Sequence, residues 1–398
     1  MLRFGSGPLL NLRLNLRPYR VSRRTFLAAA STLAACSRKR APRYQAWLFV
    51  ASAAERAVVV SDLSSFRRSG SIALDAPPDQ VLSVRGKLFA VCPDTSRIVQ
   101  IDPVERKILG KIEVSGKIVS VCLTTDGNYL AVATTGPDAL VLVDTNTSQL
   151  ARNTPLPAAP QAVAAATKQV AVLLEAKATL LARVSVPDGA LLGVSPLGAG
   201  SVAALGYRSD GETIFTAAPD AMQIVSLDAA SGAVLARLPV PIRPARFCVD
   251  GSGGQVFVTG ADSEPQLVIF SPYQNQVDQT LYAGHALYGM AVAPVRNLLF
   301  LSNPDAGDVT ILSIESRHVI SSIRTGGKPR EILIAPSTGP EEYAFVVDAD
   351  TGDVSVIHIP VVLHKPGDAF IAEPPKPVFA VLHGGADPQS AVIVPYSV

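Results

Sequence analysis

One short pattern recurs eight times along this chain, and its regularity limits the possible folds more than any other feature. It begins at Leu48 (LFVASAAERAVVVSDL), Leu88, Leu130, Val170, Ile214, Val256, Leu299 and Ala344, at intervals of 40, 42, 40, 44, 42, 43 and 45 residues. Each unit opens with a short apolar run, crosses a polar turn and returns in a second apolar run. The second run starts ten residues after the first in seven units, and eleven after in the sixth, at Leu267. Runs of Val, Ile and Leu separated by Asp, Gly, Pro and Ser predict strands joined by tight turns. After residue 36 no apolar stripe of helical period and length occurs.

A third strand follows each pair, as in KILGKIEV (107–114), AVLARLPV (233–240) and HVISSIRT (318–325). A fourth precedes the next unit, as in IVSVCL (118–123), AVAAA (162–166) and EILIAP (331–336). Four strands per period of this length are the layout of a β-propeller blade. A lone blade exposes two apolar faces; radial stacking buries them, and closing the ring removes the free edges. The sequence therefore predicts an all-β propeller of four-stranded antiparallel blades, eight of them, with seven plus an appended hairpin as the alternative. The first unit lacks a leading strand. The Pro-rich link at 360–377 is followed by VFAVLH (378–383) and SAVIVPYSV (390–398). These two runs are expected to supply the last blade's outer strand and the first blade's missing inner strand, closing the ring.

The units AFVVDADTGDVSVIHI with GGKPREILIAP (326–336), and IVSLDAASGAVLARLPV (224–240), resemble the YVTN-type propeller repeat of bacterial extracytoplasmic proteins. The resemblance covers residues 47 to about 360. It implies the propeller fold and leaves function open, because such repeats serve binding, surface-layer and enzymatic proteins. The literal tetrad is absent. The single tryptophan, Trp47, closes no Trp-Asp blade, so the chain does not resemble a WD40 array.

The N-terminal segment carries a different message. Ser22-Arg23-Arg24-Thr25-Phe26-Leu27 resembles the bacterial twin-arginine export motif, and Leu33-Ala34-Ala35-Cys36 resembles a lipobox. The apolar stretch between them is too short to span a bilayer as a helix. Residues 1–35 are thus expected to be a signal peptide with Arg23 and Arg24 as its export signal. Cys36 is expected to carry lipid, residues 36–46 to form a tether, and 47–398 to form a single propeller. On that reading the protein is lipid-anchored in a bacterial cell envelope, facing the periplasm or exterior, and touches membrane through the anchor alone.

Bulk composition narrows the function. At 48% apolar and 17% charged the chain builds a large core, and a net charge of +2 gives no support for nucleic-acid binding. Cys92, Cys122 and Cys248 sit in apolar runs at irregular spacing, without a C-x-x-C or C-x-x-C-H, and read as free thiols. The turn DADTGD (348–353) invites a calcium reading, yet NPDAGD (303–308) occupies the same place one unit earlier. Both fit hairpin turns. Asp62, Asp102, Asp144 and Asp228 recur at the end of the second run and read as turn caps. His285, His318, His358, His364 and His383 make no metal-binding spacing. No G-x-S-x-G elbow or P-loop occurs, and LHGGAD (382–387) faintly resembles an oxyanion-hole turn without a nucleophile to serve.

No catalytic, cofactor-binding or metal-binding residue is therefore assigned, and no cofactor is expected. The remaining constellation is Lys117, Arg246, His285, Tyr288, Lys328 and Arg330, all placed where the chain starts an innermost strand. The repeat should bring them to one mouth of the central channel, where a basic rim favours an anionic ligand or an acidic patch on an envelope protein. The expected role is that of a non-enzymatic, monomeric binding scaffold. The alternative is a propeller-lactonase-type hydrolase acting on a sugar lactone at the same mouth.

Overall fold

A computed structural model describes residues 44–398 except 177, 199, 251–253, 262–263, 336–341, 363–375 and 397–398. The expected export signal Arg23-Arg24, the expected lipidation site Cys36 and most of the Pro-rich link lie outside the described residues. The described strands, β1 to β32 in chain order, fall into eight four-stranded antiparallel sheets. Seven sheets run through four consecutive strands each. The exception is blade 1, whose outer strand β3 (Arg67–Ala73) is followed inward by β2 (Ala57–Asp62), β1 (Ala46–Ser52) and, as inner strand, the C-terminal β32 (Pro388–Pro395). It pairs with β1 (Ala46–Ser52) from Ala46↔Pro395 to Ala51↔Ser390. Val378–His383 (β31) forms the outer edge of blade 8. The ring thus has eight blades and is closed by the C-terminal strands, as the missing first strand implied. Tyr44, the first described residue, packs on the ring: its side chain is buried with its ring centroid 6.0 Å from that of Tyr343.

The core comprises eight apolar clusters, one in each gap between successive blades. Alternate residues of one strand serve opposite gaps: Leu48 and Val50 face blade 8, Phe49 and Ala51 face blade 2. A middle strand is buried on both faces, which explains its continuous apolar run. Phe49, Phe89, Phe215, Phe257, Phe300 and Phe345 hold the same repeat position, each fully buried in the gap that follows its blade.

Single-residue bulges also recur. Every outer strand has one, leaving Ser69, Leu109, Ala151, Leu192, Leu235, Asp278, Ile320 or Phe379 opposite no partner. A bulge strengthens local twist and spoils an edge for further pairing, which protects eight rim strands from aggregation. Five inner strands carry bulges too, at Val119, Gln161, Ala245, Arg330 and Gln389. In four of these the residue just before is proline (Pro160, Pro244, Pro329, Pro388), which has no N–H to give a ladder.

The repeated aspartates cap turns as expected. Asp62 accepts the Ser64 N–H, Asp102 those of Val104 and Glu105, Asp144 those of Asn146 and Thr147, and Asp228 that of Ser231. DADTGD is a turn of the same kind: Asp348 Oδ1 accepts the N–H groups of Asp350 and Thr351. LHGGAD is the link from blade 8 to the closing strand, where a Cβ on Gly352 would lie 2.0 Å from the Gly385 carbonyl oxygen. Cys92 is buried and Cys122 and Cys248 are half-buried, all three free. Burial pushes their thiols up to about 11, 12 and 11 respectively, far from the reactive thiolate.

Candidate functional site

In each blade the inner strand starts at the end where the second strand finishes, so the loops before the inner strands and the following hairpin turns share one face. Tyr288 lies just ahead of the inner strand of blade 7 (β24, Met290–Ala293). Its N–H donates to the Ser302 carbonyl at 2.9 Å, and its own carbonyl accepts the Thr259 hydroxyl of blade 6 at 3.3 Å. Ser302 also donates to the Arg330 carbonyl of blade 8 at 2.9 Å and accepts the Gly289 N–H at 2.7 Å. A Cβ on Gly289 would lie 1.9 Å from that Arg330 oxygen, so glycine is what lets the two strands approach. These contacts hold three adjacent blades in register at the mouth.

On this frame Arg246 Cζ lies 3.6 Å from the Tyr288 ring centroid and Arg330 Cζ lies 5.2 Å from it. A guanidinium over an aromatic face gains about 0.5–2 kcal/mol, and the ring restrains both cations without neutralising either. Among the described residues no carboxylate lies within ion-pair distance of Arg246 or Arg330. Arg330 is the extra residue of the blade 8 bulge, between Pro329↔Asp348 and Glu331↔Val347, and a bulge re-aims the side chain it carries.

Arg246, Leu287, Tyr288, Pro304, Asp305, Lys328 and Arg330 line a cavity of about 390 Å³. Of the six residues expected at the mouth, four therefore meet: Arg246, Tyr288, Lys328 and Arg330. His285 is exposed in the loop beside Ala286, which lines the same cavity. Lys117 starts the inner strand of blade 3, across the ring, and does not join them. Lys328 is paired with Asp350 at 3.4 Å, both side chains being more than half exposed, so its charge is largely offset locally. The cationic character of the site thus narrows from a rim to two guanidinia.

A second cavity, of about 430 Å³, shares Tyr288 and Arg330 and continues to Glu331, Ile332, Pro388 and Gln389. Glu331 is half-buried and accepts the Ala391 N–H of the closing strand at 2.8 Å. Burial raises its pKa from the ordinary 4.5 to about 7, against the pull of that N–H. Its folded pKa lies above the unfolded one, so charging it costs stability: the fold weakens as pH rises from about 4.5 through 7. Glu331→Gln keeps an acceptor for Ala391. It is expected to stabilise the protein by up to about 3 kcal/mol at pH 8 and to change nothing near pH 4, measured by denaturant unfolding at both values. Equal effects at the two pH values would contradict this assignment.

Among the described residues no group of three or more His, Cys, Asp or Glu side chains is placed to hold a metal ion. Nor is any described helix long and apolar enough to cross a membrane. The sequence contained no plain sign of the Ser302 and Thr259 braces or of the bulge at Arg330. The nearest signal was the proline ahead of it.

No protein-family model and no curated protein matches the sequence. Solved structures do. A functionally unknown protein from Desulfotomaculum acetoxidans is 15% identical, with a TM-score of 0.56 over 71% of this chain and 97% of that one. The dihydro-heme d1 dehydrogenase NirN, in complex with DHE, is 13% identical, with a TM-score of 0.63 over 80% and 72%. The Cps50 (Swd1) β-propeller domain of Myceliophteria thermophila is 13% identical, with a TM-score of 0.53 over 70% and 95%. At these identities what the chain shares with them is the fold alone.

Proposed function

We propose that this protein is a non-enzymatic binding scaffold, lipid-anchored through Cys36 in a bacterial cell envelope, whose channel mouth receives an anionic ligand or an acidic patch of a protein partner. One observation carries the binding part: Arg246 and Arg330 share the Tyr288 ring, and among the described residues neither has a carboxylate within ion-pair distance. Two like charges held close together are relieved by an anion, and guanidinium geometry suits oxyanions. The anchoring part rests on the order and spacing of Ser22–Leu27 and Leu33–Cys36.

The two parts have separate tests. Arg246→Glu with Arg330→Glu is expected to abolish anion binding while leaving the melting temperature close to wild type, since neither side chain belongs to an apolar cluster. Wild-type binding should weaken as salt rises, the screening length being about 8 Å at physiological ionic strength. Anion affinity that survives the double reversal places the site elsewhere. Cys36→Ala should move the protein from the membrane fraction to the soluble one, because each buried methylene of an acyl chain contributes about 0.8 kcal/mol. A wild-type protein without lipid by mass spectrometry refutes the anchor.

A further inference from the structure

The two mouth cavities share a wall made of Tyr288 and Arg330, and the second one reaches the strand that closes the ring. Arg330 and Gln389 are both extra residues of inner-strand bulges in neighbouring blades, each set behind a proline, and both line this second cavity. A bulge leaves its extra residue outside the ladder, so these two side chains are turned to the mouth by register rather than by chance of rotamer. Both are exposed.

The nearby carboxylates are already engaged. Asp350 holds Lys328, Asp387 accepts the Gln389 amide N–H at 2.6 Å, Glu331 in the second cavity accepts the Ala391 N–H at 2.8 Å, and Asp305 has a partner of its own. Among the described residues the guanidinia of Arg246 and Arg330 are held by the Tyr288 ring and by no carboxylate, and their separation cannot exceed the two ring distances laid end to end. That is a span one polyvalent anion can bridge.

We propose that the two cavities form one site for a small organic polyanion, a di- or tricarboxylate or a phosphate monoester, with its charged group against Arg246 and Arg330 and its polar body crossing to Gln389 on the closing strand. This deepens the anion-binding reading above and rests on it. The volumes, about 390 and 430 Å³, suit a small organic molecule and far exceed an inorganic ion. Paired guanidinia favour carboxylate and phosphate oxygens, which they bind bidentately. A ligand seated there also clasps blade 8 to the C-terminal strand. Its binding should therefore slow the local opening of that strand.

The test is calorimetric titration of the purified protein at low salt with citrate, glycerol 3-phosphate and inorganic phosphate, together with amide exchange over residues 388–395. An organic probe is expected to bind at least about tenfold more tightly than phosphate. Arg246→Gln and Arg330→Gln should each weaken every probe by about tenfold or more, the loss typical of a charge-assisted hydrogen bond. Gln389→Ala should weaken only the organic probe, Lys117→Gln should change nothing, and amides of 388–395 should exchange more slowly in the complex. If phosphate matches the organic probes and Gln389→Ala has no effect, the seam-crossing site is overturned while anion binding stands. If no small probe binds but poly-glutamate does, with Arg330→Gln weakening it, the mouth docks an acidic chain and the small-molecule site is overturned. If nothing anionic binds, both readings fall.

Discussion

Deleting residues 388–398 is expected to abolish the native ring. The segment supplies the whole inner strand of blade 1, so its loss exposes the hydrogen-bonding edge of β1 along Ala46–Ser52. It also strips two core clusters at once. Ala391 packs into the gap between blades 8 and 1, and Val394 into the gap between blades 1 and 2, each at most 5% exposed. Trp47 loses the Tyr396 ring, 4.3 Å away, and Glu331 loses the Ala391 N–H at 2.8 Å, leaving a half-buried carboxylate without its donor. Each buried aliphatic side chain contributes about 1.5–3 kcal/mol and each lost ladder bond about 1 kcal/mol net. The sum reaches or exceeds the roughly 5–15 kcal/mol by which whole domains are stable. The truncated chain should show no cooperative thermal transition and should bind a hydrophobic dye. A melting temperature within a few degrees of wild type would show that seven complete blades close without it.

Arg183→Met is expected to be the most damaging single substitution away from the apolar core, at about 1–3 kcal/mol for each buried carbonyl left without its charged donor. Arg183 sits in β14 (Leu180–Ser185) of blade 4 and is only 4% exposed. Its guanidinium reaches the next blade and donates to three successive carbonyls: Ala229 at 3.0 Å, Ala230, and Ser231 at 2.9 Å. Gln169 donates to the same Ala229 oxygen at 3.0 Å, and its own oxygen accepts the Tyr207 hydroxyl at 2.9 Å. The network ties blade 4 to the hairpin turn of blade 5. Gly232 and Gly193 make room for it, since a Cβ on either would come within 3 Å of the guanidinium. Methionine fills the volume but leaves the Ala230 and Ser231 carbonyls without these donors. Denaturant unfolding measures the loss. A cost under 1 kcal/mol would mean that water replaces the guanidinium and that the blade 4–5 junction depends on its apolar contacts.

The fold was legible because its determinants are local and repeated. A middle strand buried on both faces must be a continuous apolar run, as LFVA at Leu48 and LFLS at Leu299 are. A turn capped by its own Asp side chain declares itself at Asp62, Asp102, Asp144 and Asp228. Ring closure was readable for the same reason: the first unit lacks a strand, the tail has one to spare, and an unpaired inner edge is costly.

The site was only partly legible, because its geometry depends on partners far apart in sequence. A one-residue bulge separates Arg330 from its neighbours, and whether a bulge forms depends on the register of Pro329 and Glu331 against Asp348 and Val347. Lys117 has in its own repeat the position that Lys328 has in blade 8, two residues before the bulge, yet blade order sets it across the ring from the tyrosine. Lys328 is countered by Asp350, a residue of the following turn, which no count of charges anticipates. Arg183 lies in the apolar run LLARVS, where sequence shows only a charge out of place; the carbonyls it satisfies belong to another blade. The sequence by itself determined the strands and the period, since these follow from local polarity and turn chemistry, and it favoured eight blades over seven until the pairing of the C-terminal strand with β1 decided the count. Tertiary structure alone decided which cations meet, because that depends on register, bulges and the angular order of blades around the ring.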